Sequence, residues 1–135
     1  MNFNARLLQD GDYDNILCDW WKAWKWDVPQ KDFLPENGNG GVIVSKGDIN
    51  ICAGFMYFTN SNVAWCEWVI SNKRYREKDR KEAMYFLLNM ISEICKSKGA
   101  KYIFTSLKNK SLIKKYNDCK FIETDHNCTQ MVKFL

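Results

Sequence analysis

The sequence predicts an α/β protein of the α+β kind, with a mixed, mostly antiparallel central sheet and helices on both faces. Three observations predict it. Between Gly41 and Ser71, three runs rich in β-branched and aromatic residues are joined by tight turns, the pattern of an antiparallel meander. The third run, Ala64 to Ser71, passes through a short polar turn into a segment where Ala83, Leu87, Met90, Ile91 and Ile94 recur at three and four, which is helical spacing. A further apolar run, Lys101 to Leu107, follows, and a strand, helix and strand in that order usually leave two parallel neighbours.

Each element has its own signal. Phe3 to Gln9 alternates loosely as a first strand and ends at Asp10-Gly11-Asp12. Asp12 or Asp14 is placed to cap a helix whose Ile16, Leu17, Trp20, Trp21 and Trp24 share one face, and Val28-Pro29 breaks it. Gly41 to Lys46, the turn Gly47-Asp48, Ile51 to Thr59, the turn Asn60-Ser61-Asn62 and Val63 to Ser71 form the meander. The long helix is expected to start at Asp79, which with Glu82 three residues later forms a capping box, and to stop at Gly99. Ser111 to Asn117 reads as a short helix, with Phe121 to Thr124 and Cys128 to Leu135 as a closing hairpin.

The chain of 135 residues is long enough for one domain with its own core, spanning 1–135, and the run at 37–41 is too short a connector to divide it. With 46% hydrophobic and 27% charged residues the composition is that of a globular protein. No apolar run is long enough to cross a bilayer, and MNFNARLLQDGD has no signal-peptide core, so no membrane partner and a cytoplasmic location are expected. The cysteines at 18, 52, 66, 95, 119 and 128 show no CxxC or paired spacing, which reads as reduced core residues, with no metal site expected.

The net charge of +4 excludes little, but its distribution is informative. Eleven of the twenty Lys and Arg fall at 73–81 and 108–120. A strand turning straight into a helix leaves free N–H groups at the positive end of the helix dipole, a setting for phosphate. The cationic turn is thus either a solvated basic surface or a site for a polyphosphate or nucleic-acid backbone. Glu67 is the lone carboxylate in an apolar strand, where burial would raise its pKa and suit it to act as a base, unless it faces water or pairs with a cation. His126 reads as a surface turn residue. Trp24, Trp26 and Asp27, nearest the end of the first helix, are the candidates for an exposed role, against the alternative that the tryptophans belong to the core.

The order of elements resembles the GNAT superfamily of N-acetyltransferases over nearly the whole chain, and the sequence is similar to short GNAT proteins of bacteriophage genomes. The family's R-G-x-G-x-G/A loop corresponds to Arg76 through Ala83, with Glu77, Asp79 and Lys81 in place of the three glycines. The family's N-x(6)-Y-x(4)-F pattern is matched by Asn109, Tyr116 and Phe121, with Lys120 where the family prefers glycine. The resemblance implies an acetyl-CoA-dependent N-acetyltransferase in which an amine attacks the thioester directly, with acetyl-CoA as cosubstrate. It implies pantetheine pairing along Val69, Ile70 and Ser71 and phosphates held by Arg76, Glu77, Lys78, Asp79, Arg80 and Lys81, with Asn109 nearby. Tyr116 would be the general acid, and Trp24, Trp26 and Asp27 would line the acceptor side.

The implied acceptor is a small-molecule or protein amine, and a second copy of the chain, as a homodimer, is among the partners considered. The alternative is a catalytically silent GNAT-fold module for a protein or nucleic-acid partner. A phage-encoded chain would work in the host cytoplasm.

Overall fold

A computed structural model describes residues 2–135. Five strands form one sheet in the order β1-β2-β3-β4-β5: β1 Phe3–Leu7, β2 Gly41–Lys46, β3 Ile49–Phe58, β4 Val63–Ser71 and β5 Tyr102–Phe104. Each of the first four is antiparallel to its neighbour, and β5 lies parallel to β4, as the strand, helix and strand order implied. The helices are α1 Cys18–Ala23, entered through a π-turn at Tyr13–Leu17, then α2 Arg80–Ser97 and α3 Lys110–Asp118. Two short 3-10 turns, Lys31–Phe33 and Pro35–Gly38, fill the connection between α1 and β2.

Two apolar layers sandwich the sheet. Ala83, Leu87, Leu88, Ile91 and Cys95 of α2 pack on Val42, Val44, Cys52, Met56 and Cys66, with Tyr116 of α3 completing that side. Leu17, Trp20 and Trp21 cover the other face over Ile43, Ala53, Phe55 and Ile70. Each Leu or Ile so buried is worth about 1.5–3 kcal/mol. Trp20 and Trp21 are therefore core residues, as their helical spacing allowed.

Three expectations about ends and caps are corrected. Neither Asp12 nor Asp14 caps the first helix. Asp12 is buried and instead receives Arg6 Nη1 at 2.7 Å, Arg6 Nη2 at 3.1 Å and the Gln9 N–H at 2.8 Å, so the carboxylate ties β1 to the turn that follows it. At α2, Asp79 sits at the N-cap position but caps nothing, because its oxygens are taken by Lys46 Nζ at 2.7 Å and the Tyr75 hydroxyl at 2.6 Å. The closing hairpin is absent: 119–135 carries no strand, and Ile122, Met131, Val132 and Phe134 are exposed. Its physical basis is thin, since β5 pairs over three residues only and a hairpin without a sheet to join is marginal. Cys128, in this tail, is exposed rather than a core cysteine; Cys52, Cys66 and Cys95 are buried, and all six thiols are free.

Candidate active site

The site is made by a fork in the sheet. β4 and β5 are in register only at Val63 with Tyr102, Ala64 with Ile103 and Trp65 with Phe104. Beyond that point side chains replace the ladder: the Thr105 hydroxyl donates to the Cys66 carbonyl at 2.7 Å, and the Ser106 N–H donates to Glu67 Oε1 at 2.8 Å. β4 runs on to Ser71 with no strand along that edge.

A β-bulge shapes the edge. Phe55 pairs with Glu67 and Ala53 with Ile70, so Gly54 alone faces Trp68 and Val69. Trp68 takes the left-handed conformation, φ +58°, which costs about 1–2 kcal/mol in a non-glycine residue. Its indole N–H is fixed by the Tyr57 hydroxyl at 2.7 Å, and that hydroxyl donates to the Phe33 carbonyl at 2.7 Å. Gly54 gives the bulge room: a Cβ there would come within 3.0 Å of Val69 Cγ2 and 3.1 Å of Ile91 Cδ1, so both side chains would have to shift to admit one. Nothing in the composition of β4 signalled the bulge except Gly54 on the neighbouring strand.

Two titratable groups flank the fork. Glu67 is half-buried, and burial pushes its carboxyl above the ordinary glutamate range, against the opposing pull of the Ser106 N–H and the Thr105 hydroxyl. The Ser106 N–H holds Oε1 at 2.8 Å, the Thr105 hydroxyl shares its one proton between the Cys66 carbonyl and Oε1 at 3.2 Å, and no donor among the described residues reaches Oε2. On the other face the Tyr116 hydroxyl lies 3.4 Å from Cys66 Sγ. Tyr116 is 2% exposed, and burial, reinforced by Cys66, drives its pKa far above the usual tyrosine range. Its ring meets Phe121 edge-on at 4.9 Å, so these two residues of the N-x(6)-Y-x(4)-F pattern pack together. Asn109, the third, is the N-cap of α3, its Oδ1 accepting the Leu112 N–H at 3.0 Å. Lys120, where the family prefers glycine, has φ +73°, a conformation that suits glycine.

The cationic turn lies at the other end of the free edge. No residue from Lys73 to Lys81 has positive φ, so the turn takes a path that does not need the missing glycines. Among the described residues no side chain caps the start of α2. Arg76, Glu77 and Lys78 are exposed, and Arg80 folds back so that its guanidinium donates to the Arg76 carbonyl at 3.0 Å. The two basic segments approach each other here: the Tyr85 hydroxyl donates to Asp118 Oδ2 at 2.6 Å, which lays α3 along the first turns of α2, where Arg80 and Lys81 stand. Lys115 of α3 is held below the usual lysine range by burial and by the charges of Lys81 and Arg80, and its Nζ donates to Ser111 Oγ at 2.8 Å. Lys115 stands out in the sequence only as one lysine of a run.

Of the residues expected at the free edge, Val69 and Ile70 follow the bulge, and Ser71 ends the strand. The Asn72 N–H bonds inward to the Ile51 carbonyl at 2.7 Å, which turns the preceding Ser71 carbonyl outward. That carbonyl accepts the Trp24 indole N–H at 2.8 Å. Trp24 is thereby half-buried as a strut between α1 and β4, with Lys73 Nζ 5.1 Å from its ring centroid, rather than a free surface of the acceptor side. Trp26 stacks on it at 5.6 Å and is 47% exposed, and Asp27 is exposed. Two surface hollows of about 300 and 410 Å³, around Thr59–Val63 and between the end of α2 and β5, lie at the opposite end of the sheet from these groups.

No protein-family profile and no curated protein matches the sequence. Solved structures do match in fold. The ribosomal-protein-S18-alanine N-acetyltransferase from Escherichia coli superposes with a TM-score of 0.72 at 12% identity, over 92% of this chain and 80% of that one. AAC(6')-Iy, in complex with the bisubstrate analogue CoA-S-monomethyl-acetylneamine, gives 0.68 at 12% identity over 99% and 100%. A GNAT family acetyltransferase from Staphylococcus aureus gives 0.63 at 14% identity over 98% and 100%.

Proposed function

We propose that this chain, which has the fold of the GNAT acetyltransferases, is an N-acetyltransferase that passes an acetyl group from acetyl-CoA to an amine by direct attack. The observation that carries the reading is the parting of β4 and β5 at Trp65 and Phe104, with the Glu67 carboxylate on one side of the fork and the Tyr116 hydroxyl on the other.

The residues fit the cosubstrate at both its ends. Arg80, Lys81 and Lys115 beside the uncapped start of α2 suit its phosphates. The outward-facing groups of Val69 suit its amides; pairing at the Ser71 carbonyl requires Trp24 to release it. When bound, acetyl-CoA supplies the acetyl group as a thioester. The chain's own groups handle the protons. An alkylammonium must lose a proton before it attacks, which at pH 7 costs about 4–5 kcal/mol from a pKa near 10.4. Glu67 Oε2 is free to accept that proton, because Oε1 is already fixed by Thr105 and Ser106. Its raised pKa makes it a stronger base than an exposed glutamate. Tyr116 stays a neutral phenol, because burial and Cys66 keep its proton on, and in this reading it would be the group that returns a proton to the departing thiolate.

A second reading, a silent binding module, draws on two observations: the loop has no glycine, and Trp24 occupies an edge carbonyl. Thermal-shift titration separates the two. Acetyl-CoA at 100 times its Kd should add about 2.7 kcal/mol of stability. No shift with acetyl-CoA or CoA would reject the transferase reading.

A further inference from the structure

We infer that the acceptor is an arylalkylamine or a comparably flat, apolar primary amine, whose ring lies on Trp65 and Phe104 while its nitrogen reaches Glu67 Oε2. The inference rests on the transferase reading for the fate of the amine, but not for its binding.

The geometry runs across one face of the sheet. Trp65 and Glu67 share a face of β4, because Cys66 between them points into the layer under α2. Same-face neighbours on a strand are about 6.6–6.8 Å apart, a distance that a short alkyl linker between an amine and a ring bridges. Trp65 pairs with Phe104 on one side, ring centroids 5.3 Å apart and planes tilted by 58°, and with Tyr57 on the other. The cover from α1 spans β2, β3 and the far half of β4 on this face and leaves its β5 edge open, where Phe104 is 51% exposed. An apolar floor therefore begins one step from the carboxylate.

The charge pattern selects the ligand. Among the described residues none of the ion pairs involves Glu67, so a carboxylate in apolar surroundings lacks a cation beside aromatic rings. Ammonium groups are attracted both to carboxylates and to ring faces. A phosphorylated amino sugar would set its own anion against Glu67 and its hydroxyls against rings that offer them little.

The test uses the full chain without cofactor, with 2-phenylethylamine and glucosamine 6-phosphate as calorimetric probes. The expected result is selective binding of 2-phenylethylamine. Trp65→Ala and Phe104→Ala should each weaken it about tenfold, the effect of losing one aromatic partner, and Trp65→Phe should restore most of it. Glu67→Gln should weaken it as well. The acetyl-CoA thermal shift should be unchanged in the Trp65 and Phe104 variants. Equal or tighter binding of glucosamine 6-phosphate, or no loss in the alanine variants, overturns the inference. So does a dimer that dissociates in Phe104→Ala, which would assign the face to a second copy of the chain. Selective amine binding without any acetyl-CoA shift would leave this site standing and reject the transferase instead.

Discussion

Replacing Tyr116 by Phe removes one oxygen from the α2 side of the fork and little else. The ring keeps its edge-on contact with Phe121 at 4.9 Å and its place beneath α2. The lost hydrogen bond is a long one to a thiol, 3.4 Å to Cys66 Sγ, so the stability cost should be at the low end for a buried pair, about 0.5–1 kcal/mol. Even from the lower limit of ordinary stability, about 5 kcal/mol, a variant weakened by 1 kcal/mol stays about 99.9% folded. Loss of a general acid typically lowers the rate about 10²-fold or more, equivalent to about 2.7 kcal/mol in the barrier. Folding and chemistry are therefore separable in size. Release of free thiol from acetyl-CoA, followed colorimetrically with 2-phenylethylamine as acceptor, reads the rate; thermal shift reads the binding. The expected outcome is a fall in kcat of about 10²-fold with the acetyl-CoA shift intact. A kcat within about twofold of the parent, or a parallel collapse of acetyl-CoA binding, would refute the assignment of the proton to this hydroxyl.

Two further outcomes follow from the ion pairs and the basic cluster. Asp12→Asn should cost about 2 kcal/mol at neutral pH, since two guanidinium bonds and the Gln9 N–H lose their anion while Arg6 stays partly solvated. Burial works to raise the Asp12 pKa, but these donors outweigh it and hold the carboxyl below its ordinary range. Its contribution is thus complete above about pH 3.9 and is lost as pH falls through the lower folded value. Urea midpoints across acid pH should converge for parent and variant, and a constant gap would count against the pair. Lys115→Ala should weaken CoA binding about tenfold and flatten its dependence on salt, as expected when one partly desolvated cation leaves an anion site. Calorimetry at low and high salt measures both, and unchanged affinity would remove Lys115 from the phosphate end.

Much of this architecture can be read from local patterns. The meander from Gly41 to Ser71, the long amphipathic α2 and the parallel β5 all declare themselves through periodicity and turn residues, because each depends on near neighbours in the chain. Glu67 could be singled out as a carboxylate amid apolar residues. Features set by distant partners were not legible. Asp79 and Glu82 have the spacing of a capping box, yet Lys46, 33 residues away, draws the aspartate off. Lys115 joins Arg80 and Lys81 only once α3 lies along α2. The residues at 121–135 alternate well enough for strands, but pairing needs a longer edge than the three residues of β5.

The bulge at Trp68 makes β4 two half-strands spliced out of phase. Before the splice, Cys66 faces α2; after it Val69 does, three positions on rather than an even number. Trp68 and Ile70 fall on the α1 side as a result. Straightening the strand with every residue kept would leave Val63–Cys66 untouched and turn everything downstream inside out, sending Ile70 toward α2 and Val69 toward α1, whereas deleting the one extra residue would remove the bulge and keep Val69 under α2 and Ile70 under α1. An insertion or deletion is usually tolerated best in loops. Here one residue more or less inside a strand changes the shape of the edge beside the fork while the same side chains stay in each layer.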